Sequence, residues 1–173
     1  MRITTAHAFE SSLSNLQKRQ QQLSARALAD LLCTEALVES VNYPGLPSHP
    51  NHHVACAQMR GFGAIVSFVL KGGMDTVKLL LPQLRYAHCA GNLGAVETIY
   101  GPARTTSHVE NTLEERQALG ISEGLVRISV GIEDTDDLLA DLQQAFAWLR
   151  QSLKHNPASD AVPSLNARAE VAH

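Results

Sequence analysis

Arg127 is the residue whose type and position most strongly suggest chemistry. It lies inside the apolar run LVRISV, residues 125–130, which has the composition of a β-strand. A guanidinium stays charged at every physiological pH, so a buried one needs a partner. Two interpretations follow. Arg127 either binds a substrate carboxylate through two parallel hydrogen bonds, or it is structural, paired with Glu97 or placed at an edge that faces water.

Two other clusters contain residue types that occur in metal sites or hydrolases. His49, His52 and His53 lie within SHPNHH, but a metal site needs further ligands in a fixed geometry, so we expect a solvated loop that leads into a helix. Ser107 and His108 are adjacent, and neighbours on an extended chain point in opposite directions, which makes a poor nucleophile and base. The sequence therefore predicts no metal site and no catalytic serine. A hydroxyl that positions another group is the better interpretation.

Composition and charge exclude several classes of protein. The 173 residues include 14 basic and 17 acidic side chains, a formal net charge of −3, so we expect no binding of nucleic acid or of an anionic membrane. No apolar run reaches the roughly 18 residues of a membrane span, and residues 1–12 lack the apolar core of a signal peptide. The three cysteines are unevenly spaced and form no CxxC pair, which is typical of reduced thiols in a cytoplasmic protein.

The elements that must position Arg127 alternate between helices and strands. Apolar residues at helical spacing predict an N-terminal helix whose buried face contains Leu16, Leu23, Ala27 and Leu31. Further helices are predicted at residues 51–60, 74–81, 112–119 and 134–153, and strands at residues 37–43, 64–70, 84–90, 96–100 and 125–130. Residues 102–111 read as a loop. Few strands with short connections indicate an α/β protein of the α+β type, with an open, mostly antiparallel sheet and helices packed on one face.

Several strings, read in order, resemble one enzyme family. They are residues 43–50 (YPGLPSHP), 58–63 (QMRGFG), 67–73 (SFVLKGG), 93–98 (LGAVET), 125–134 (LVRISVGIED) and 137–142 (DLLADL). Together they are similar to the C-terminal domain of the Cys/Met-metabolism pyridoxal-phosphate enzymes, the family of cystathionine γ-synthase, the γ- and β-lyases and the homoserine-ester sulfhydrylases. The resemblance covers most of the chain, and its strings are long and correctly ordered.

The resemblance implies a fold, a cofactor and partners. The chain resembles the small C-terminal domain of a fold-type-I enzyme, entered through the long helix that joins it to a large cofactor-binding domain. It implies domain limits of 1–12 for a non-family or disordered start, 13–153 for the domain and 154–173 for a disordered tail. It also implies pyridoxal phosphate as cofactor, and C–S bond chemistry by lyases or transferases. The implied substrate is an amino acid such as a homoserine ester or cystathionine, in an enzyme that is typically a homotetramer.

The resemblance also assigns substrate-binding residues. In the family, the arginine of the LVRLSVG-like strand holds the α-carboxylate of the substrate, and Arg127 matches it. A threonine in the preceding loop supports that arginine, and Ser107 matches its position. The family's AESLGG string presents main chain and side chain to the same carboxylate. Here it reads AGNLGA, so that Asn92 replaces the serine and Gly91 the glutamate.

One family feature has no match in the sequence. The lysine that binds the cofactor lies in a Ser-x-Thr-Lys-like string, and none of Lys18, Lys71, Lys78 and Lys154 has that setting. Whether the chain is an enzyme therefore stays open, and alone we expect it to be inactive. Either it is a fragment or split form of a transsulfuration enzyme that works with a separate cofactor-domain chain, or it is a non-catalytic orphan domain or decaying gene product with a binding or assembly role only.

Overall fold

The computed structural model of the protein describes residues 5–106 and 110–155. Its helices are α1 (Thr5–Thr34), α2 (His52–Gln58), α3 (Gly73–Leu80), α4 (Ala103–Thr106), α5 (Leu113–Ala118) and α6 (Thr135–His155), with a 3₁₀ turn at Leu81–Gln83. Its strands are β1 (Val38–Asn42), β2 (Ile65–Leu70), β3 (His88–Cys89), β4 (Ile99–Pro102) and β5 (Leu125–Ser129). No helix among the described residues is both long enough and apolar enough to cross a membrane.

The five strands form one open sheet in the order β1-β2-β5-β4-β3. All pairings are antiparallel except that of β3 with β4. This arrangement confirms the predicted mixed fold with a mostly antiparallel sheet. Strand β5 lies at its centre, and there Arg127 is opposite Ser67 of β2 and Gly101 of β4.

The core lies between one face of the sheet and helices α1, α3 and α6. Successive side chains of a strand point to opposite faces, so Val66, Phe68 and Leu70 of β2 enter the core together with Val126 and Ile128 of β5. These five side chains are at most 3% exposed. The residues between them, Arg127 among them, are half-buried and stand on the other face, which we call the open face.

The predicted face of α1 is wrong in its first half. Leu16 and Leu23 are 61% and 67% exposed, and burial begins at Ser24 and Ala25. Geometry explains the difference. A 30-residue helix is about 45 Å long, whereas a five-residue strand spans about 17 Å, so the sheet covers only the C-terminal part of the helix.

The segment predicted as a strand at residues 84–90 is mostly not one. Only His88–Cys89 pairs with β4, because the main-chain amides of Arg85 and Tyr86 donate instead to Oδ2 of Asp141 on α6, at 2.8 and 3.1 Å. The predicted loop at residues 102–111 begins with the helical turn α4, where Thr106 Oγ1 donates to the Pro102 carbonyl at 2.8 Å. The local structure is thus set by the Asp141 carboxylate in the first segment and by the Pro102 carbonyl in the second.

The ends of the chain lie largely outside the described residues. Helix α6 continues to His155, two residues into the predicted tail, and residues 156–173 are not described. Helix α1 spans Thr5–Thr34, and the domain limit expected at residue 12 stays a prediction.

Candidate functional site

Arg127 stands in the middle of the open face with a small residue on either side. Ser67 and Gly101 are its partners on the neighbouring strands. Position 101 has no room for a side chain, since a Cβ there would lie 2.9 Å from Thr106 Oγ1 and 3.1 Å from the Ala90 carbonyl. The absence of a side chain at Gly101 lets Thr106 and the main chain of Ala90 approach the sheet beside Arg127.

Among the described residues, the guanidinium of Arg127 contacts main-chain oxygens and no carboxylate. Its Nη2 donates to the carbonyl of Asn92 at 2.8 Å and lies 3.4 Å from that of Gly91. Its Nε is buried and has no hydrogen-bond partner among the described residues. The expected alternative, an ion pair with Glu97, is not among the ion pairs that the described part of the chain forms. Arg127 thus keeps its charge without a neutralising partner in the described structure.

The loop of residues 90–97 brings these carbonyls over the sheet. Its first residue, Ala90, donates from its amide to the Tyr100 carbonyl at 3.1 Å, and the amide of Gly94 donates to Ser129 Oγ at 2.9 Å. Gly94 has a φ of 80°, in the left-handed region that favours glycine. The structure therefore brings the main chain of Asn92 to Arg127, and a role for the Asn92 side chain, which is exposed, stays a prediction.

The third predicted site residue, Ser107, lies outside the described residues. The structure does describe what precedes it. Helix α4 packs against β4 and β5, and Thr106 lies over Gly101, directly opposite Arg127. The chain thus leads toward the arginine at residue 106, and the role of Ser107 stays a prediction.

A buried ion pair that the sequence did not reveal organises the segment after residue 110. Arg116 is 6% exposed, and its Nε lies 2.7 Å from Glu123 Oε1, while Arg104 Nη1 of α4 lies 2.8 Å from Glu123 Oε2. The hydrogen bond from Arg116 lowers the pKa of Glu123 below its ordinary value, and the charges of Arg116 and Arg104 lower it further. Thr112 and Glu115 form a capping box at the start of this helix, α5, but nothing in the sequence pattern of the helix indicated a buried Arg116.

Two histidines of the cluster, His49 and His52, are occupied by local contacts. His52 Nδ1 lies 2.7 Å from the Pro44 carbonyl, and His49 Nδ1 accepts from the amide of Asn51 at 3.1 Å. The described residues contain no group of three or more His, Cys, Asp or Glu side chains that could hold a metal ion. On the open face, the charged guanidinium of Arg127 is the group that can bind an anion. The described histidines of the cluster are not arranged to bind a metal ion.

Comparisons with known proteins agree on one family. The family model for Cys/Met metabolism PLP-dependent enzymes matches residues 12–147. The L-methionine gamma-lyase of Fusobacterium nucleatum subsp. nucleatum is 45% identical over 123 residues, 71% of this chain and 31% of that protein. The O-succinylhomoserine sulfhydrylase of Pseudomonas aeruginosa is 42% identical over 146 residues, 83% of this chain and 36% of that protein.

A solved structure gives the same result. The crystal structure of cystathionine gamma synthase from Xanthomonas oryzae pv. oryzae in complex with cystathionine has a TM-score of 0.76 and 41% sequence identity, and it covers 80% of this chain and 36% of that one. This chain therefore spans about a third of the length of the relatives it matches.

Proposed function

This chain belongs to the family of Cys/Met metabolism PLP-dependent enzymes, and from that premise we propose that Arg127 binds the α-carboxylate of an amino-acid substrate. The chain then supplies the carboxylate-binding part of a transsulfuration-type site, and residues 13–153 form the small domain. The substrate class is an amino acid of the kind that the relatives' names give, such as O-succinylhomoserine or cystathionine. A cofactor-binding domain completes the enzyme.

One observation carries this proposal: Arg127 is half-buried, and within the described part of the chain its guanidinium donates only to neutral carbonyls. A charge removed partly from water is stabilised best by an opposite charge, and a carboxylate matches the planar fork of a guanidinium. A hydrogen bond to a charged group contributes about 1.5–3 kcal/mol, so loss of the arginine should weaken amino-acid binding about tenfold to a hundredfold.

Binding at Arg127 fixes the orientation of the substrate. Two parallel hydrogen bonds to a carboxylate hold its plane and thus the direction of its Cα substituents. Orientation of this kind lowers the entropic part of a reaction barrier without any bond being made or broken by the arginine itself. The role of this chain is therefore to bind and orient the substrate.

The described residues around Arg127 fit a carboxylate and do not fit pyridoxal phosphate. The cofactor, when bound, supplies the electron sink of the family's chemistry and needs a lysine amine beside it. Here Lys71 Nζ donates to the Ala36 carbonyl at 2.7 Å, and Lys78 lies 3.8 Å from Asp75 on α3. No contact joins a described lysine to Arg127, so the cofactor's own site belongs to the remaining two thirds of such an enzyme.

A hybrid enzyme tests the proposal. In the Pseudomonas aeruginosa sulfhydrylase, the matching segment is replaced by this chain, and KM and kcat are measured for O-succinylhomoserine. Arg127→Ala should raise KM about tenfold or more, and Arg127→Lys, which keeps the charge but not the fork, should restore it only in part. The control is Arg26→Ala, which breaks an exposed pair with Asp30. Equal KM values for the hybrid and its Arg127→Ala variant contradict the proposal.

The position of the lysines favours one second candidate, a non-catalytic binding module. In that case the hybrid is inactive, whereas the chain alone still binds amino-acid carboxylates through Arg127. An inactive hybrid separates this candidate from the first, and titration of the isolated 173-residue chain with L-methionine, with and without Arg127→Ala, tests the binding that both candidates share.

A further inference from the structure

The far end of the loop of residues 90–97 is held by a compact hydrogen-bonded group. The carboxylate of Glu133 accepts from the Thr98 amide through Oε1, at 2.6 Å, and from the Thr98 hydroxyl through Oε2, at 2.8 Å. Thr98 Oγ1 in turn accepts from the amide of Gly131 at 2.9 Å. Thr98 is 3% exposed. A single threonine side chain thus joins two segments that lie more than 30 positions apart in the sequence.

These segments approach too closely to admit a side chain at residue 131. A Cβ at Gly131 would lie 2.3 Å from Glu133 Oε2 and 2.5 Å from the main chain of Glu97 and Thr98. Real Cβ atoms do not come so near to other heavy atoms. The main chain at Gly131 therefore packs directly against the main chain at Glu97 and Thr98, with no space for a side chain between them.

A second attachment holds the middle of the same loop. Ser129 is 1% exposed, and its Oγ accepts from the amide of Gly94 at 2.9 Å. Ser129 follows Arg127 by two positions on β5, so both side chains share the open face. The strand that carries Arg127 and the residues just after it thus also hold the loop whose Gly91 and Asn92 carbonyls bind the guanidinium.

We propose that Thr98, Glu133 and Ser129 are positioning residues for Arg127. They keep the two carbonyls against Nη2, and this contact fixes the rotamer of the guanidinium, so that its other donors are ready for a carboxylate. An arginine side chain loses much rotamer freedom when it binds, and a preformed contact removes part of that cost in advance. The inference rests on the function proposed above for Arg127 and adds the residues that prepare it.

The matched variants Thr98→Val and Thr98→Ser test this in the full 173-residue chain. Valine has the shape of threonine without the hydroxyl, so it loses the bonds to Glu133 Oε2 and to the Gly131 amide, whereas serine keeps both. Three quantities are measured under conditions where a denaturant melt shows the variant folded. They are hydrogen exchange of the amides at residues 91–97, the NMR signal of the Arg127 Nε–H, and the Kd for L-methionine.

The expected result is specific to the hydroxyl. Thr98→Val should speed amide exchange in the loop, shift the Arg127 signal and weaken L-methionine binding by about tenfold, whereas Thr98→Ser should stay within about twofold of the original chain. Ser129→Ala, which removes only the acceptor of the Gly94 amide, should act in the same direction and serves as the second test if Thr98→Val does not fold.

The outcomes separate this inference from the function on which it rests. If the original chain binds L-methionine through Arg127, but Thr98→Val and Ser129→Ala bind it equally well, the positioning role is wrong. If the original chain binds no L-methionine, the proposed function fails. The loop exchange and the Arg127 signal then still decide whether these residues position the guanidinium: unchanged values in both variants overturn the inference.

Discussion

The two faces of the sheet carry different kinds of side chain on the same strands. On the face covered by α1, α3 and α6, Val66 and Phe68 of β2 and Val126 and Ile128 of β5 are at most 3% exposed. On the open face, Ser67 and Arg127 lie between those very residues and are half-buried. Strand alternation alone therefore separates the surface that forms the core from the surface on which we propose binding, within five residues of β5.

Two arginines show the same division. Arg116 is 6% exposed and shares Glu123 with Arg104, so its charge is neutralised within the chain. The hydrogen bonds of Arg127 within the described residues go only to carbonyl oxygens. Removal of one partner from a buried ion pair lowers stability strongly. Replacement of an arginine that has no charged partner should lower stability little. The comparison thus predicts which substitutions reduce stability and which reduce binding.

The largest expected effect is on the covered face. Phe68→Ala should lower the free energy of unfolding by about 3–5 kcal/mol, because a fully buried phenylalanine leaves a cavity. Its neighbour Val69, which is half-buried on the open face, is the matched control, and Val69→Ala should cost about 1 kcal/mol or less. Denaturant melts of both variants measure the difference. Similar losses from the two would contradict the division between the faces.

The paired arginine comes next. Arg116→Ala should lower the free energy of unfolding by about 1.5–3 kcal/mol, because it removes hydrogen bonds to Glu123 and to the Asn111 carbonyl. Lys78→Ala breaks a pair with Asp75 whose two side chains are 70% and 91% exposed, so it should cost no more than about 1 kcal/mol. If both substitutions cost the same in melts, burial does not decide the contribution of these pairs.

The free energy of unfolding should depend on pH through protonation of the Glu123 carboxyl. The folded state lowers the pKa of this carboxyl, first through the hydrogen bond from Arg116. Its contribution is therefore complete above the ordinary value of 4.5 and is lost as the pH falls through the lower folded value. Glu123→Gln should flatten the acid side of the stability profile without changing its slope above pH 6. An unaltered acid limb would show that the ion pair does not contribute.

The smallest expected effect is at the start of α5. Thr112 Oγ1 accepts from the Glu115 amide at 3.2 Å, and Glu115 Oε2 accepts from the Thr112 amide at 2.8 Å. Thr112→Ala should cost about 1 kcal/mol, and Thr112→Ser should cost almost nothing because it keeps the cap. Melts of the two variants measure this, and an equal loss in both would point to packing of the threonine methyl group instead.

The sequence predicts the elements whose signals are local. The alternation of β5, the helical period of α6 and the capping box of α5 all lie within a few residues of one another, and all three appear in the structure. The exposure of Leu16 and Leu23 depends on how far the sheet reaches along α1. The loss of most of the strand before His88 depends on Asp141, more than 50 positions away. Such contacts are decided by tertiary packing.

The candidate site likewise contains one residue that the sequence indicates and several contacts that only the folded chain creates. Arg127 was identifiable because a charge inside an apolar strand is unusual. Its contacts are main-chain oxygens of Gly91 and Asn92, and every residue has such an oxygen, so no side-chain pattern marks them. Thr98 and Glu133 likewise meet only after the chain has folded.

We propose that Arg127 binds a carboxylate and contributes little to the stability of the fold. The most direct test of this proposal is the free energy of unfolding of the Arg127→Ala chain in denaturant, measured beside its L-methionine titration. The account predicts a change in stability of no more than about 1 kcal/mol and a loss of binding of at least about tenfold. A loss of roughly 3–5 kcal/mol, the cost of breaking a buried ion pair, with unchanged binding would show instead that Arg127 is structural.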